Sequence, residues 1–218
     1  MFSRAPKSEM VAADAALPGR PTQPWVLGDH VVLGTPVVAD VDSPGAPAGL
    51  EEAVLGLGCF WGAEEIYWQV PGVWSTSVGY AGGFTPHPTY EEVCTGRTGH
   101  TEAIRVLFDP TVVSYADLVK GFFEIHDPTQ GMQQGNDIGT QYRSAIYPTT
   151  PEQDTVAREL TARYGRELVE RGLGEITTEI RPAAEAGYFY AEDVHQQYLA
   201  KNPHGYRCHA NTGVPFPA

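Results

Sequence analysis

Three cysteines, at positions 59, 94 and 208, are the residues of this 218-residue chain best suited to covalent chemistry, and none belongs to a Cys-x-x-Cys pair. So few thiols exclude a disulfide scaffold and turn attention to thiol reactivity. Cys59 stands in Gly58-Cys59-Phe60-Trp61-Gly62, behind the apolar run 53–58 and ahead of a helical pattern. A strand handing over to a helix there would aim the sulfur at the first backbone N–H groups and the positive end of the helix dipole. That placement lowers a thiol pKa from about 8.5 and makes a nucleophile. A cysteine behind an apolar strand also serves as a plain core residue, and both readings stay open on the residues alone. Phe60 and Trp61 can wall an apolar pocket beside the sulfur or pack in the core.

Glu102 gives the sharpest single inference. Side chains alternate along a strand, so over 101–108 Glu102 shares a face with Ile104, Val106 and Phe108, while Arg105 points the other way. Burial there raises a carboxyl pKa and makes Glu102 a candidate general acid; a solvated position at the strand mouth is the alternative. Tyr90 and Tyr142 follow Pro- and Gly-rich loops and can present phenolic donors to a ligand. Asp137 reads as a turn residue. Cys208 lies in a Gly- and Asn-containing tail, 202–213, read as mobile enough to swing; a mobile thiol near a reactive one is the layout of a resolving cysteine, and an exposed bystander is the alternative. Cys94 reads as a passive loop thiol, and His195 as a structural hydrogen-bonding residue. The seven histidines form no metal-ligand spacing, so neither a metal nor a cofactor is expected.

The elements that must position these groups follow from hydrophobic period and punctuation. A buried strand over 53–58 leads into a helix carrying Ala63, Ile66, Tyr67 and Val70, with Glu64 and Glu65 read as first-turn acids and Pro71-Gly72 as the stop. Strands follow over 73–80 and 101–108, separated by a loop to Gly99. Ser114 and Asp117 open a helix bearing Leu118, Phe122 and Ile125, which Asp127-Pro128 ends. A strand over 142–147, a helix starting at Thr150-Pro151-Glu152-Gln153, a strand over 176–180, a short helix over 191–200 and an irregular tail complete the chain. The order β-α-β-β-α-β predicts an α+β fold, a two-layer ferredoxin-like split β-α-β sandwich. Residues 1–50, with seven prolines and five glycines, read as an N-terminal arm or a disordered tail ahead of a body over 51–218.

Composition narrows the function classes. A net charge of −13 argues against a phosphate-tracking surface for nucleic acid or an anionic membrane, and 42% hydrophobic with 19% charged residues is ordinary globular usage. No apolar run is long enough for a membrane span or a secretory signal, so a cytoplasmic address is the default expectation.

Several blocks taken in order then carry a resemblance. Gly58-Cys59-Phe60-Trp61-Gly62, Gly79-Tyr80-Ala81-Gly82-Gly83, Pro88-Thr89-Tyr90-Glu91-Glu92-Val93-Cys94, Gly99-His100-Thr101-Glu102, the run 134–144 and His195-Gln196-Gln197-Tyr198 closely resemble the A-type peptide methionine sulfoxide reductases, over about 53–213. The resemblance implies reduction of the S-epimer of methionine sulfoxide, free or in proteins. It implies Cys59 as nucleophile, Phe60 and Trp61 as the wall for the substrate methyl group, Glu102, Tyr90 and Tyr142 around the sulfoxide oxygen, and Asp137 in the same site. Cys208 would condense with the Cys59 sulfenic acid, and thioredoxin would reduce the disulfide; a small-molecule thiol with a glutaredoxin-like protein is a second route. The chain departs from the family in lacking a second tail cysteine after Cys208, so the reductant must reach a Cys59–Cys208 bond directly. Two other readings of a reactive cysteine are a hydrolase or acyltransferase with His100 or His195 as base, and a thiol redox sensor.

Overall fold

The apolar run behind Cys59 forms β1 (Glu51–Leu57), with Ala53, Leu55 and Leu57 on one face and Val54 on the other. In the computed structural model, which describes residues 7–208 and 210–217, the chain continues through α1 (Phe60–Tyr67), β2 (Val73–Ala81), α2 (Tyr90–Cys94), β3 (Thr101–Phe108) and α3 (Tyr115–Ile125). A two-residue hairpin, β4 (Gln133–Gln134) and β5 (Asp137–Ile138), precedes β6 (Ser144–Tyr147) and α4 (Pro151–Glu170). Short elements β7 (Glu179–Ile180), α5 (Ala183–Ala186), β8 (Tyr188–Tyr190) and α6 (Tyr198–Lys201) close the body.

The main sheet has the order β7-β6-β1-β3-β2-β8. β3 runs antiparallel to both β1 and β2, so the two strands joined through α1 are parallel with β3 between them. β6 lies antiparallel on the other side of β1. This is the expected split β-α-β arrangement, widened by β7 and β8 at the edges. The helical layer of α1, α3 and α4 covers the face carrying Leu55, Ile104, Val106 and Phe108, and Phe122, Phe123, Tyr164 and Leu168 fill the space between.

The opposite face is not bare. Val54, Ala81, Ala103, Ala145 and Tyr147 pack there with Ala186 of α5, and the N-terminal segment lies alongside, burying Val37, Ala39 and Leu50. Arg105, buried on this face, donates to both oxygens of Glu52 (2.8 and 2.9 Å), to Asp40 (2.5 Å), to Tyr190 Oη (2.7 Å) and to the Ala39 carbonyl. Further contacts tie residues 7–50 to the loops: Arg20 forks onto Glu92 (2.8 and 2.9 Å), Thr140 N–H donates to the Lys7 carbonyl (2.8 Å), and His30 meets Thr76 (2.8 Å).

Several elements differ from the sequence expectation. The loop before Gly99 holds α2, opened by a capping box in which Thr89 and Glu92 exchange bonds. The helix expected over 191–200 is confined to Tyr198–Lys201, because the preceding residues form turns that close on Glu192 and Asp193 carbonyls. The strand expected over 176–180 is only Glu179–Ile180, and that over 142–147 starts at Ser144, since Thr140–Tyr142 makes a 3-10 turn. α1 ends at Tyr67 rather than Val70, its last turn tightening through Val70 N–H to the Tyr67 carbonyl. β8 was not anticipated. Among the described residues no helix is long and apolar enough to cross a membrane.

Candidate active site

Cys59 occupies the N-cap of α1, reached through Gly58 at φ +93°. A Cβ at Gly58 would lie 2.6 Å from Gln134, so only glycine allows the chain to turn this closely over the β4 strand. The Trp61 N–H donates to the Cys59 sulfur as the strand-to-helix geometry predicts. The expected lowering of its pKa does not follow. Burial, then the nearby Glu102 charge, pushes the thiol well above its ordinary range against the opposing Trp61 N–H. One backbone donor and the end of a two-turn helix do not offset removal from water, and the adjacent donor, Phe60 N–H, goes to Glu102 instead.

Glu102 lies on the apolar face of β3, 1% exposed, with its Oε2 accepting that Phe60 N–H at 3.0 Å. Its Oε1 is buried with no hydrogen-bond partner among the described residues. Burial, helped by the Asp137 charge and opposed by Phe60 N–H, raises its carboxyl to about 8, so it holds a proton at neutral pH. Arg105 is on the other face, as alternation requires, and is engaged by Glu52 and Asp40. Consecutive N–H groups at the start of α1 thus hold the thiol and the acid side by side.

Around this pair stands a box of rings. Tyr90, the first residue of α2, stacks on Phe60 (6.4 Å) and Trp61 (6.3 Å) and lies 4.4 Å from His195. Tyr198 also stacks on Trp61, at 4.0 Å, and the Trp61 indole N–H donates to His195 Nδ1 at 3.3 Å. His195 is therefore the structural partner that its sequence context suggested, its basicity lowered chiefly by burial. The Tyr90 and Tyr142 phenols are pushed above their ordinary range by burial and then by Glu102, which keeps both as O–H donors near that carboxyl. Asp137, on β5, is more than a turn residue: it accepts from Tyr206 Oη at 3.1 Å, and its charge is felt by both Cys59 and Glu102.

Cys208 and Cys59 line one small cavity of about 20 Å³ with Leu57, Gly62, His126 and Gln134, room for about one water. Cys208 donates to the Gln134 carbonyl at 3.6 Å, and all three cysteines are free thiols. The tail that carries it is pinned rather than swinging. Arg207 forks onto Glu65 of α1 (2.6 and 2.7 Å), Tyr164 Oη donates to the Val214 carbonyl (2.8 Å), and Phe216 stacks on Tyr164 at 5.4 Å. Cys94 ends α2 half-buried and is hydrogen-bonded to the Tyr90 phenol.

Two carboxyl groups, Glu192 half-buried and Glu64 buried, escaped sequence reasoning in this role. Glu192 accepts from Tyr80 Oη (2.9 Å) and from Tyr90 N–H (2.8 Å), fixing where α2 begins. Glu64 is not a solvated first-turn acid: it is fully buried and accepts bonds from Gln197 and Thr76.

Comparison with known proteins bears on the arrangement directly. The family model of peptide methionine sulfoxide reductase matches residues 51–215. The chain is 54% identical to peptide methionine sulfoxide reductase MsrA of Salinispora arenicola, over all of this chain and 96% of that protein. It is 57% identical to the MsrA of Rhodospirillum centenum, over 98% and 94%. Among solved structures, methionine sulfoxide reductase A of Corynebacterium diphtheriae superposes with a TM-score of 0.84 at 49% identity, covering 96% of this chain and 100% of that one. Mxr1 of Saccharomyces cerevisiae in reduced form gives 0.65 at 35% identity, covering 74% and 91%. This chain belongs to the MsrA family of peptide methionine sulfoxide reductases.

Proposed function

We propose that this chain reduces the S-epimer of methionine sulfoxide, free or in proteins, with Cys59 as nucleophile, Glu102 as acid and Cys208 as resolving thiol. The observation that carries the reading is the juxtaposition of a buried Cys59 and a proton-bearing Glu102 on consecutive N–H donors of α1, with Glu102 Oε1 unpartnered. A sulfoxide oxygen is a strong acceptor and supplies the missing partner. Phe60 and Trp61 receive the methyl group, and the Tyr142 phenol adds a donor to the oxygen, joined by Tyr90 when its O–H turns from Cys94 to the substrate.

Glu102 transfers its proton to the sulfoxide oxygen as the Cys59 sulfur attacks the substrate sulfur, and the thiol proton returns to the carboxylate. Sulfur–oxygen transfer leaves methionine and a Cys59 sulfenic acid, so the substrate is reduced by two electrons and the cysteine oxidised by two. Once Glu102 is neutral, the largest cause after burial of those holding the thiol protonated is gone. Cys208 then attacks Cys59, a disulfide forms and water leaves. Because the tail is held at Tyr206, Arg207 and Val214, this step needs a local shift across the shared cavity rather than a long swing. Thioredoxin reduces the bond, in a reducing cytoplasm where the thiols are restored. Residues 51–218 form the catalytic unit with this tail, and residues 1–50 its arm.

Neither histidine named for a hydrolase reading is free to act as base. His100 takes the Gly83 N–H at Nδ1 (3.0 Å) and meets the Thr85 carbonyl at Nε2 (2.8 Å), and His195 is engaged by Trp61. Single-turnover assay of an S-sulfoxide without added reductant tests the proposal. Cys208→Ser should still release about one methionine per chain yet fail in thioredoxin-coupled turnover, and Cys59→Ser should release none. Release by Cys59→Ser would overturn the nucleophile, and normal coupled turnover by Cys208→Ser would overturn the resolving role.

A further inference from the structure

Glu64 is fully buried and takes no part in the steps above. It sits on α1, three residues after Trp61, and acts only as an acceptor. Gln197 N–H donates at 2.7 Å, Gln197 Nε2 at 2.8 Å and Thr76 Oγ1 at 3.1 Å. Thr76 Oγ1 also meets His30 Nε2 at 2.8 Å. Since His30 Nδ1 accepts the N–H groups of Val32 (3.2 Å) and Leu33 (3.1 Å), its Nε2 carries the proton and donates to Thr76. A row of donors from the N-terminal segment therefore ends on the Glu64 carboxylate. The same segment touches this row a second time, through Val31 N–H to Gln197 Oε1 at 3.4 Å.

What this row holds is an unusual turn. Gln197 has φ +46° and ψ +43°, the left-handed region that a residue with a Cβ occupies only when its surroundings enforce it. Both of its N–H donors, main-chain and side-chain, go to Glu64. The next residue, Tyr198, stacks on Trp61 with rings 4.0 Å apart and 17° from parallel, and two residues earlier His195 takes the Trp61 indole N–H.

We propose that Glu64 is a positioning residue: it holds Gln197 in the left-handed turn that seats Tyr198 and His195 on Trp61, with His30 of the N-terminal segment completing the hold through Thr76. The consequence for turnover rests on Trp61 being the wall of the substrate pocket. Loosening the hold then weakens substrate binding and leaves the Cys59–Glu102 pair as it is.

The test reads the wall with and without substrate. In the full-length 15N-labelled protein, the Trp61 indole N–H cross-peak is assigned with Trp61→Phe and followed in Glu64→Gln and in Thr76→Val, a milder change that removes one donor. Both variants should move the Trp61 cross-peak, Glu64→Gln further. With N-acetyl-methionine S-sulfoxide and dithiothreitol, Glu64→Gln should raise KM about tenfold and Thr76→Val about threefold, each keeping the saturated first-turnover rate within about twofold. A Trp61 cross-peak unmoved in both variants overturns the hold whatever the activity, and a lowered saturated rate at unchanged KM overturns its role in binding. A wild-type protein inert toward the sulfoxide overturns the proposed function instead, and the cross-peak still decides the hold.

Discussion

Glu64 and Glu102 are both sealed from solvent and both tied to α1, yet the helix uses them in opposite ways. Glu64 receives three donors and Glu102 one, with an oxygen left bare. Burial raises both pKa values. The three donors favour the charged form of Glu64 and restrain it to about 7, while Glu102, with a single donor and the Asp137 charge adding to desolvation, reaches about 8. A buried carboxyl saturated with donors organises structure, whereas an undersupplied one keeps an open position for a ligand.

The largest expected separation is in rate. Glu102→Gln should slow the first turnover by about 10²- to 10⁴-fold, the range of a lost general acid, with the fold intact. Glu64→Gln should leave that saturated rate nearly unchanged, so equal losses in the two variants would erase the distinction.

Stability should separate them in reverse. Glu64→Leu strands the Gln197 and Thr76 donors and should cost about 3 kcal/mol in urea unfolding, whereas Glu102→Leu strands only Phe60 N–H and should change stability by about 1 kcal/mol or less. A larger loss at Glu102 would contradict the donor count.

Titration of Glu102 adds an effect that grows with pH. The folded-state pKa of Glu102 is raised from 4.5 to about 8, so the native state holds a proton that the unfolded chain releases above 4.5. Its contribution to stability is fully present below 4.5 and is lost as pH rises through about 8. Glu102→Gln cannot titrate, and its stability relative to the wild type should therefore grow with pH across that window. A constant difference would place Glu102 in solvent-like surroundings.

The same contrast explains what the sequence disclosed. Glu102 was legible because alternation along one strand is local, and Cys59 because a strand-to-helix junction is local too. The Thr89-x-x-Glu92 capping box was missed, because the Pro- and Gly-rich run around it suggested loop. Glu64 was not legible: its partner Gln197 is 133 residues away, and one helical turn cannot reveal that it faces inward. The thiol pKa of Cys59 was misjudged for a related reason, since the dipole is a property of its own helix while burial comes from the rest of the fold. The tail looked mobile because Arg207 meets Glu65 across 142 residues of sequence.

The most direct test of Glu102 as a proton-bearing acid is the pH dependence of the first-turnover rate at saturating S-sulfoxide, in the wild type and in Glu102→Gln. The wild-type rate should fall as pH rises through about 8, where Glu102 loses its proton, and Glu102→Gln should be slow throughout and lack that fall. A wild-type rate indifferent to pH across that range, or the same fall surviving in Glu102→Gln, would contradict the account.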